Sequence, residues 1–253
     1  MTYDLHVHSA FSLDSRQPME GHCARAVEMG LPGLCFTEHL DFDALSLDFY
    51  NPSAYFGELN RLREKYAGRL EILAGLEFSE PHQHPRQLEQ ARGLPYDFVL
   101  GSVHLWLGGL FPSQMRDRGM SVPLCFARYW EQVLLMVRHG GFDCVAHLDF
   151  PRRYFRCLEY QPEMADEIFR AMVENDLALE INTSSLRKGL DEPMPGEALL
   201  RHYAAQGGRY VTLGSDAHSA QELYRDIPRA AALSESLGLV PVRFVGRERV
   251  ITL

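Results

Sequence analysis

Histidine and carboxylate residues recur along the 253-residue sequence, each placed directly after a short apolar run. The first run ends in DLHVHS, where His6 and His8 are two residues apart and therefore lie on the same side of an extended chain. Later runs end in TEH, GLE, GSVH, AHLD and GSDAH. Neutral imidazole and carboxylate are usual protein ligands of zinc, iron and manganese. The pattern therefore predicts a metal centre.

The candidate metal ligands share one property, which is that each lies at or just beyond the end of a predicted strand. They are His6, His8, Asp14, His39, Glu77, His104, His147, Asp216 and His218. A single HxH pair is common by chance, but isolated core histidines are not expected at nearly every strand end. So many ligands can hold two or three divalent ions (Zn, Mn or Fe). Glu77 or Asp216 can bridge two of them because a carboxylate has two oxygens.

These motifs need a scaffold that brings the ends of several strands together. Runs rich in Val, Ile, Leu and Phe alternate with longer amphipathic segments, which is typical of βα units around a parallel sheet. Seven strands are predicted, at Tyr3–Val7, Gly33–Thr37, Leu70–Leu76, Phe98–Val103, Cys144–His147, Ala178–Ile181 and Tyr210–Leu213. A further pair, Val242–Val245 and Arg249–Thr252, is predicted to close or cap the sheet. In parallel barrels, active sites lie at the carboxyl ends of the strands.

Helices are predicted between the strands from the spacing of apolar residues and from proline and glycine positions. They are Met19–Met29, Pro52–Tyr66, Phe126–Arg138, Pro162–Glu174, Glu197–Gln206 and Gln221–Leu237. Phe78–Tyr96 and Trp106–Pro123 are rich in proline, glycine and charge and are predicted as long loops over the functional face. No low-complexity tract or domain boundary interrupts the sequence, so residues 1–253 are predicted to form one α/β domain.

Composition narrows the possible partners. The formal net charge of −9 argues against nucleic acid bound through a broad basic surface, whereas a small phosphorylated substrate at a local cationic site remains compatible. The five cysteines form no close pairs and are expected to be reduced, which favours a cytoplasmic location. No secretion signal or membrane-spanning run is apparent. The sequence does not specify an oligomeric state.

Other catalytic signatures are weak by comparison. Ser9, Ser102 and Ser215 stand beside proposed ligands, but no GxSxG elbow marks a serine nucleophile. Neither a P-loop nor a GxGxxG fingerprint occurs. The remaining histidines lie in or beside predicted helices or, as with His82 and His84, in a proline-flanked loop, so we do not expect them to bind metal.

The ordered motifs DLHVHS, TEH, GLE, GSVH, AHLD and GSDAH resemble the polymerase-and-histidinol-phosphatase (PHP) superfamily over nearly the whole chain. FSLDS, YNPSAYFGELNRLREKY, YDFVLGSVH and INTSSLRKG look like its histidinol-phosphatase branch. The resemblance implies a distorted (β/α)7 TIM-like barrel with a trinuclear site. It implies a first metal at His6, His8, Glu77 and Asp216, a second at Glu77, His104 and His147, and a third at Asp14, His39 and His218. Many relatives have a histidine where this sequence has Asp14.

The implied activity is hydrolysis of L-histidinol phosphate to L-histidinol and phosphate, a reaction of histidine biosynthesis. A hydroxide held between two cations is a potent nucleophile, and the cations offset charge on the phosphoryl oxygens. Arg187 is predicted to clamp the phosphate, together with Arg152 or Arg153, because each follows a predicted strand and guanidinium binds oxygens bidentately. Asp149 is predicted either to protonate the leaving alkoxide or to orient the neighbouring ligand His147.

Three alternatives remain open on the sequence alone. The first is a PHP-type phosphatase or phosphodiesterase of broader specificity. The second is a non-catalytic metal-binding module, which the full set of ligands argues against. The third is an amidohydrolase-type C–N hydrolase, which is disfavoured because Lys65 falls in a predicted helix and Lys188 in a loop, leaving no bridging lysine on a barrel strand.

Overall fold

The structure is a computed structural model that describes residues 2–46 and 49–252. Its strands are β1 (Asp4–Val7), β2 (Gly33–Leu40), β3 (Glu71–Ser79), β4 (Phe98–Ser102), β5 (Cys144–Val145), β6 (Ala178–Asn182), β7 (Tyr210–Gly214), β8 (Val240–Val245) and β9 (Glu248–Ile251). They lie side by side in chain order. Strands β1 to β8 pair in parallel, and β9 pairs antiparallel to β8.

The helices lie between the strands. They are α1 (Met19–Glu28), α2 (Pro52–Lys65), α3 (Pro85–Arg92), α4 (Pro112–Asp117), α5 (Val122–His139), α6 (Arg152–Phe155), α7 (Pro162–Glu174), α8 (Ser184–Arg187), α9 (Glu197–Ala205) and α10 (Ile227–Ser236). Four of these ten begin with proline, whose fixed φ suits the first turn of a helix. Among the described helices, none has the length and apolarity needed to cross a bilayer.

The predicted α/β barrel-like architecture is confirmed, with one qualification about closure. Strands β1 and β7 are joined just beyond β7, where Val7 bridges Ala217 and the His8 N–H donates to the Ala217 carbonyl at 2.8 Å. A bridge rather than a full ladder joins the two strands, so the sheet is not closed. The carboxyl ends of β1 and β7 nevertheless meet, and this brings the first and last predicted ligands together.

The two faces of the strands bury different cores. Leu34 and Phe36 pack among the surrounding helices, whereas Cys35, between them, joins an inner cluster with Leu5 and Phe98. This alternation follows from the two-residue period of a strand. The C-terminal β8–β9 hairpin completes the inner cluster with Val242 and Phe244, and the Phe244 ring stacks on Phe98 with centroids 5.1 Å apart. The hairpin therefore caps the sheet, as predicted.

Two segments predicted as loops contain regular structure. Strand β3 runs on through Ser79, and α3 occupies the middle of the segment predicted as Phe78–Tyr96. The loop predicted over Trp106–Pro123 contains α4. The Phe111 N–H donates to Gln114 Oε1 at 2.9 Å, and this hydrogen bond caps the N-terminus of α4. Conversely, the last helix begins at Ile227 rather than Gln221, because Tyr224 and Asp226 adopt left-handed backbone angles that interrupt a helix.

Candidate metal centre

The predicted metal ligands lie at or beyond the carboxyl ends of six strands and converge. His6 is on β1, His39 is on β2 and Glu77 is on β3, while His104 and His147 follow β4 and β5. Asp216 and His218 come directly after β7, and His8 and Asp14 follow β1. Parallel strands that lie side by side carry their ends to one edge of the sheet, so residues far apart in sequence become neighbours.

Glu77 lies at the centre of the cluster and is fully buried. Its Oε2 is 3.2 Å from His6 Nε2, 3.4 Å from His8 Nε2 and 3.1 Å from His39 Nδ1. Its Oε1 is 2.8 Å from His147 Nε2 and 3.2 Å from His104 Nε2. The two oxygens of one carboxylate thus face two different sets of imidazoles, which is the arrangement that a bridging ligand needs.

Asp216 is shared between the cluster and a neighbouring arginine. Its Oδ1 lies 3.6 Å from His8 Nε2 and 3.5 Å from His218 Nδ1. Its Oδ2 accepts hydrogen bonds from Arg153 at 2.8 Å and from Ser184 Oγ at 2.9 Å. One oxygen is therefore directed at the imidazoles while the other is held in place by donors.

Asp14 is the most solvent-accessible of the nine predicted ligands, with 57% of its side chain exposed. Its Oδ2 lies 3.0 Å from His218 Nε2 and 3.6 Å from His39 Nε2. The rings of His39 and His218 both stack against the His8 ring, with centroids 4.1 Å and 4.4 Å from it. These residues form an outer group beside the buried Glu77 group.

The ligand atoms of the cluster are better placed to bind a divalent cation than to hydrogen-bond to one another. His6 Nε2 is 2.9 Å from His8 Nε2, and His104 Nε2 is 3.5 Å from His147 Nε2. A neutral imidazole carries only one N–H, so several lone pairs in this small volume face one another. Three groups of three ligand atoms, each group within 4.8 Å, occur among the described residues. The residues present therefore fit more than one divalent metal ion.

The ionisation of Glu77, His8 and His147 suits metal binding. Burial opposes ionisation of Glu77, but the imidazoles of His39 and His6 outweigh it and hold its pKa well below the usual range. Burial lowers the pKa of His147, and burial together with neighbouring imidazoles lowers that of His8. Ionised carboxylate and neutral imidazole are the forms that bind metals.

Two carboxylates that the sequence interpretation missed orient the imidazoles. The His6 Nδ1–H donates to Glu180 Oε1 at 2.6 Å, and the His147 backbone N–H donates to Glu180 Oε2 at 2.7 Å. The His104 Nδ1 lies 3.1 Å from Asp41 Oδ1. A signal existed for both, because Glu180 is a lone charge within an apolar strand and Asp41 follows the TEH motif by two residues.

His8 is oriented by a serine and a second buried glutamate. Its Nδ1 lies 3.1 Å from Ser12 Oγ, and this hydroxyl in turn donates to Glu38 Oε2 at 2.6 Å. Glu38 also accepts from Ser9, through both the backbone N–H and the hydroxyl. Glu38, the glutamate of the TEH motif, therefore holds the loop after β1 in place by accepting hydrogen bonds from Ser9 and Ser12.

A cavity of about 760 Å³ opens above the cluster. Glu77, His104 and His147 contribute to its floor. Its walls combine cationic, acidic and aromatic side chains: Arg153, Arg187, Lys188, Asp41, Asp43, Glu222, Phe111, Phe150 and Tyr154. The cavity is therefore suited to a small ligand that carries both an anionic and a cationic group.

Arg187 and Arg153, two of the predicted phosphate ligands, line this cavity. Arg187 Nη2 donates to the carbonyls of Ser215 at 2.8 Å and Asp216 at 3.2 Å. Its Nε and Nη1 are buried and make no hydrogen bond within the described part of the chain, and Nε lies 3.5 Å from Glu222 Oε1. Buried guanidinium donors without acceptors are costly, which favours an anion in the cavity.

Arg152 and Asp149 lie elsewhere and are not among the described residues that line the cavity. Arg152 Nε is 3.0 Å from Asp149 Oδ2, which also accepts from the Gly196 N–H at 3.2 Å, and Arg152 Nη1 is 3.2 Å from Glu192. Burial raises the pKa of Asp149 to about 6 against the effect of Arg152. This differs from the predicted clamp and acid roles, because the two side chains pair with each other and tie α6 to the segment before α9.

The family is decided by a match between the PHP domain model and residues 4–184. The chain belongs to the PHP domain family. The matched range includes the predicted ligands from His6 to His147, and Asp216 and His218 lie beyond it.

Curated relatives of this PHP chain are named histidinol-phosphatases. One from Lactococcus lactis subsp. lactis is 30% identical over 93% of this chain and 91% of its own length. One from Clostridium acetobutylicum, named a probable histidinol-phosphatase, is 29% identical over 98% of each chain. The predicted resemblance to this branch of the PHP family is confirmed.

A crystal structure of histidinol phosphate phosphatase from Lactococcus lactis shares the fold. It superposes with a TM-score of 0.82 and 26% identity over 98% of both chains, and it is a complex with zinc, L-histidinol and phosphate. A structure from Listeria monocytogenes, 18% identical with a TM-score of 0.76, also shares the fold.

Proposed function

We propose that this chain is a metal-dependent phosphomonoesterase that hydrolyses L-histidinol phosphate to L-histidinol and phosphate. The observation that carries the proposal is the Glu77-centred cluster at the floor of a cavity whose wall presents unused donors of Arg187. The similarity to the Lactococcus lactis protein, whose structure contains zinc, L-histidinol and phosphate, supports the choice of substrate.

We assign the nine ligands to two or three divalent ions, with zinc, manganese and iron as candidates. The first ion is assigned to His6, His8, Glu77 and Asp216, the second to Glu77, His104 and His147, and the third to Asp14, His39 and His218. Bound divalent ions supply Lewis acidity, which offsets charge on phosphoryl oxygens and lowers the pKa of water. The exposure of Asp14 makes the third set the most open to exchange with solvent.

The chain's own side chains bind the two ends of the substrate. Arg187 and Arg153 bind phosphoryl oxygens, because guanidinium donors match the geometry of phosphate. On the acidic wall, Asp43 faces the cavity and complements the ammonium group of histidinol. Phe111 and Phe150 offer aromatic surfaces against which an imidazole ring packs.

We extend the proposal to the whole of residues 1–253 as one catalytic domain, because ligands from His6 to His218 meet at one site. A cytoplasmic location is supported by the cysteines, because all five are free thiols and none forms a disulfide.

A substrate panel on protein of known metal content tests the function. We expect kcat/KM for L-histidinol phosphate to exceed that for unrelated phosphomonoesters by on the order of 100-fold, since a site with partners for both charged ends of a substrate discriminates against esters that lack one of them. His8→Asn should abolish turnover, whereas His139→Asn, on the surface at the end of α5, should not.

The outcomes separate the alternatives. Similar rates on all phosphoesters would favour a PHP-type phosphatase or phosphodiesterase of broader specificity. Full metal content with no turnover of any phosphoester would favour a metal-binding module instead.

A further inference from the structure

Three cationic side chains stand together on one wall of the cavity. They are Arg153, Arg187 and Lys188, the last of which caps the C-terminus of α8. Arg153 is paired with Asp216 at 2.8 Å, and the nearest carboxylate to Arg187 is Glu222 at 3.5 Å. Lys188 makes no ion pair with any residue that the structure describes. Like charges in a partly buried wall repel one another unless an anion lies between them.

The identity of the residue at position 188 is unusual for this chain. Of its 25 cationic residues, 23 are arginines, and the two lysines are Lys65 and Lys188. Lys65 lies on α2 and pairs with Glu20 on the surface. The ammonium of lysine is a compact charge on a flexible stem with three donors, and it reaches positions that a planar guanidinium does not.

The surroundings of Lys188 agree with a place beside the two arginines. Lys188 is exposed at the rim of the wall, and desolvation by the wall together with the guanidiniums of Arg153 and Arg187 lowers its pKa, against the carboxylates of Asp216 and Glu222. A lowered pKa makes an amine more reactive toward aldehydes near neutral pH, which provides a chemical handle on this side chain.

We propose that Lys188 is a catalytic residue that binds the phosphoryl group of the substrate through its ammonium. With Arg187 and Arg153 it forms an anion cradle on the wall above the metal cluster. The role is electrostatic and moves no proton. The proposal rests on the proposed function for the identity of the substrate, but it requires only a phosphate-bearing ligand. In a chain with a net charge of −9, a local cationic cradle is also what draws a phosphate dianion into the cavity.

Chemical labelling of the two lysines tests the placement directly. Purified, metal-loaded protein is treated with pyridoxal 5′-phosphate, an aldehyde that carries a phosphate, then reduced with borohydride and mapped by peptide mass spectrometry. We expect Lys188 to be labelled first and inorganic phosphate to protect it, while labelling of Lys65 stays unchanged. Equal labelling of both lysines, or no protection of Lys188 by phosphate, would overturn the proposal.

Variants test the contribution to binding. Lys188→Met should raise the inhibition constant of inorganic phosphate and lower kcat/KM by about 10- to 100-fold, the usual effect of losing one charged hydrogen bond. Lys188→Arg should restore part of the affinity, because it restores the charge. Lys65→Met is the matched control and should leave both constants unchanged. Equal phosphate inhibition of Lys188→Met and the wild type would contradict the cradle even if Lys188→Met were less stable.

The two proposals fail in distinguishable ways. If wild-type protein is inactive on L-histidinol phosphate but phosphate still protects Lys188, the substrate assignment fails and the anion cradle stands. If wild-type protein is active and Lys188 is neither protected nor needed for phosphate inhibition, the substrate assignment stands and the cradle is refuted.

Discussion

Replacing Glu180 by glutamine tests whether a carboxylate that orients the ligand imidazoles affects the metal affinity of the centre. Glu180 holds His6 with one oxygen and the backbone of His147 with the other, at 2.6 Å and 2.7 Å. It is buried on β6 and touches none of the proposed ions itself in our assignment. Any effect of the variant on metal affinity is therefore transmitted through His6 and His147.

The magnitude follows from the number of acceptors. Glutamine keeps one acceptor oxygen and replaces the other with an NH2 group, so either His6 or His147 loses its acceptor. Losing one charge-assisted hydrogen bond costs about 1.5–3 kcal/mol. That free energy corresponds to a loss of about 10- to 100-fold in metal affinity.

The assay is competition for zinc between the metal-free protein and a chromophoric chelator. Glu180→Gln should release zinc to a weaker chelator than the wild type does, and excess metal should restore part of the activity. Glu197→Gln, whose surface carboxylate pairs with Arg201, is the matched control. Zinc affinities of Glu180→Gln and wild type within about twofold of each other, below the expected range, would refute the transmitted effect.

Packing, pH and the exposed Asp14 offer three further tests. Gly214→Ala should lower the free energy of unfolding by about 1–3 kcal/mol, because a Cβ would lie 2.3 Å from Glu180 Oε1. Gly57→Ala, where no atom lies within 4 Å, is the control, and equal losses in urea denaturation would contradict the packing argument. Burial lowers the pKa of His22 to about 4, from 6.5, so its contribution to stability is present above pH 6.5 and is lost as the pH falls toward 4. Between about pH 6.5 and about pH 5, the free energy of unfolding of metal-free His22→Leu should therefore fall by about 2 kcal/mol less than that of metal-free wild type. The same fall in both proteins, measured by urea denaturation at each pH, would rule this out. Asp14→Asn should lose about one metal ion per chain after dialysis, measured by elemental analysis, because Asp14 belongs to the third set alone; loss of every ion, or of none, would count against that set.

The strands, and the convergence of the residues predicted as ligands, could be predicted from sequence because both depend on local pattern. Apolar runs predict buried strands, and a polar residue at the end of each run predicts the functional edge. His104 and His147 were predicted in this way, and the structure places both beside Glu77 although they are far from it in the chain.

The contacts that hold the predicted site residues in place could not be predicted from sequence, because they depend on which strands become neighbours. Nothing local indicates that Glu180 reaches His6, 174 positions away, or that Arg152 pairs with Asp149 instead of facing the cavity. The start of α10 was missed for a different reason, since the left-handed angle at Asp226 is set by the turn before it. Turn geometry and long-range pairing are thus the parts that needed coordinates.

The meeting of β1 with the segment after β7 has a consequence for folding. Ligand atoms of His6 and Asp216 lie 4.0 Å apart although 210 positions separate them in sequence. A cation held by both acts as a reversible cross-link around almost the entire chain, and closing so long a loop removes much of the freedom of the unfolded chain. Because binding to the native state adds to its free energy of unfolding, the midpoint of denaturation should rise with metal concentration. Metal supply would then affect how long the folded protein persists as well as its catalytic rate.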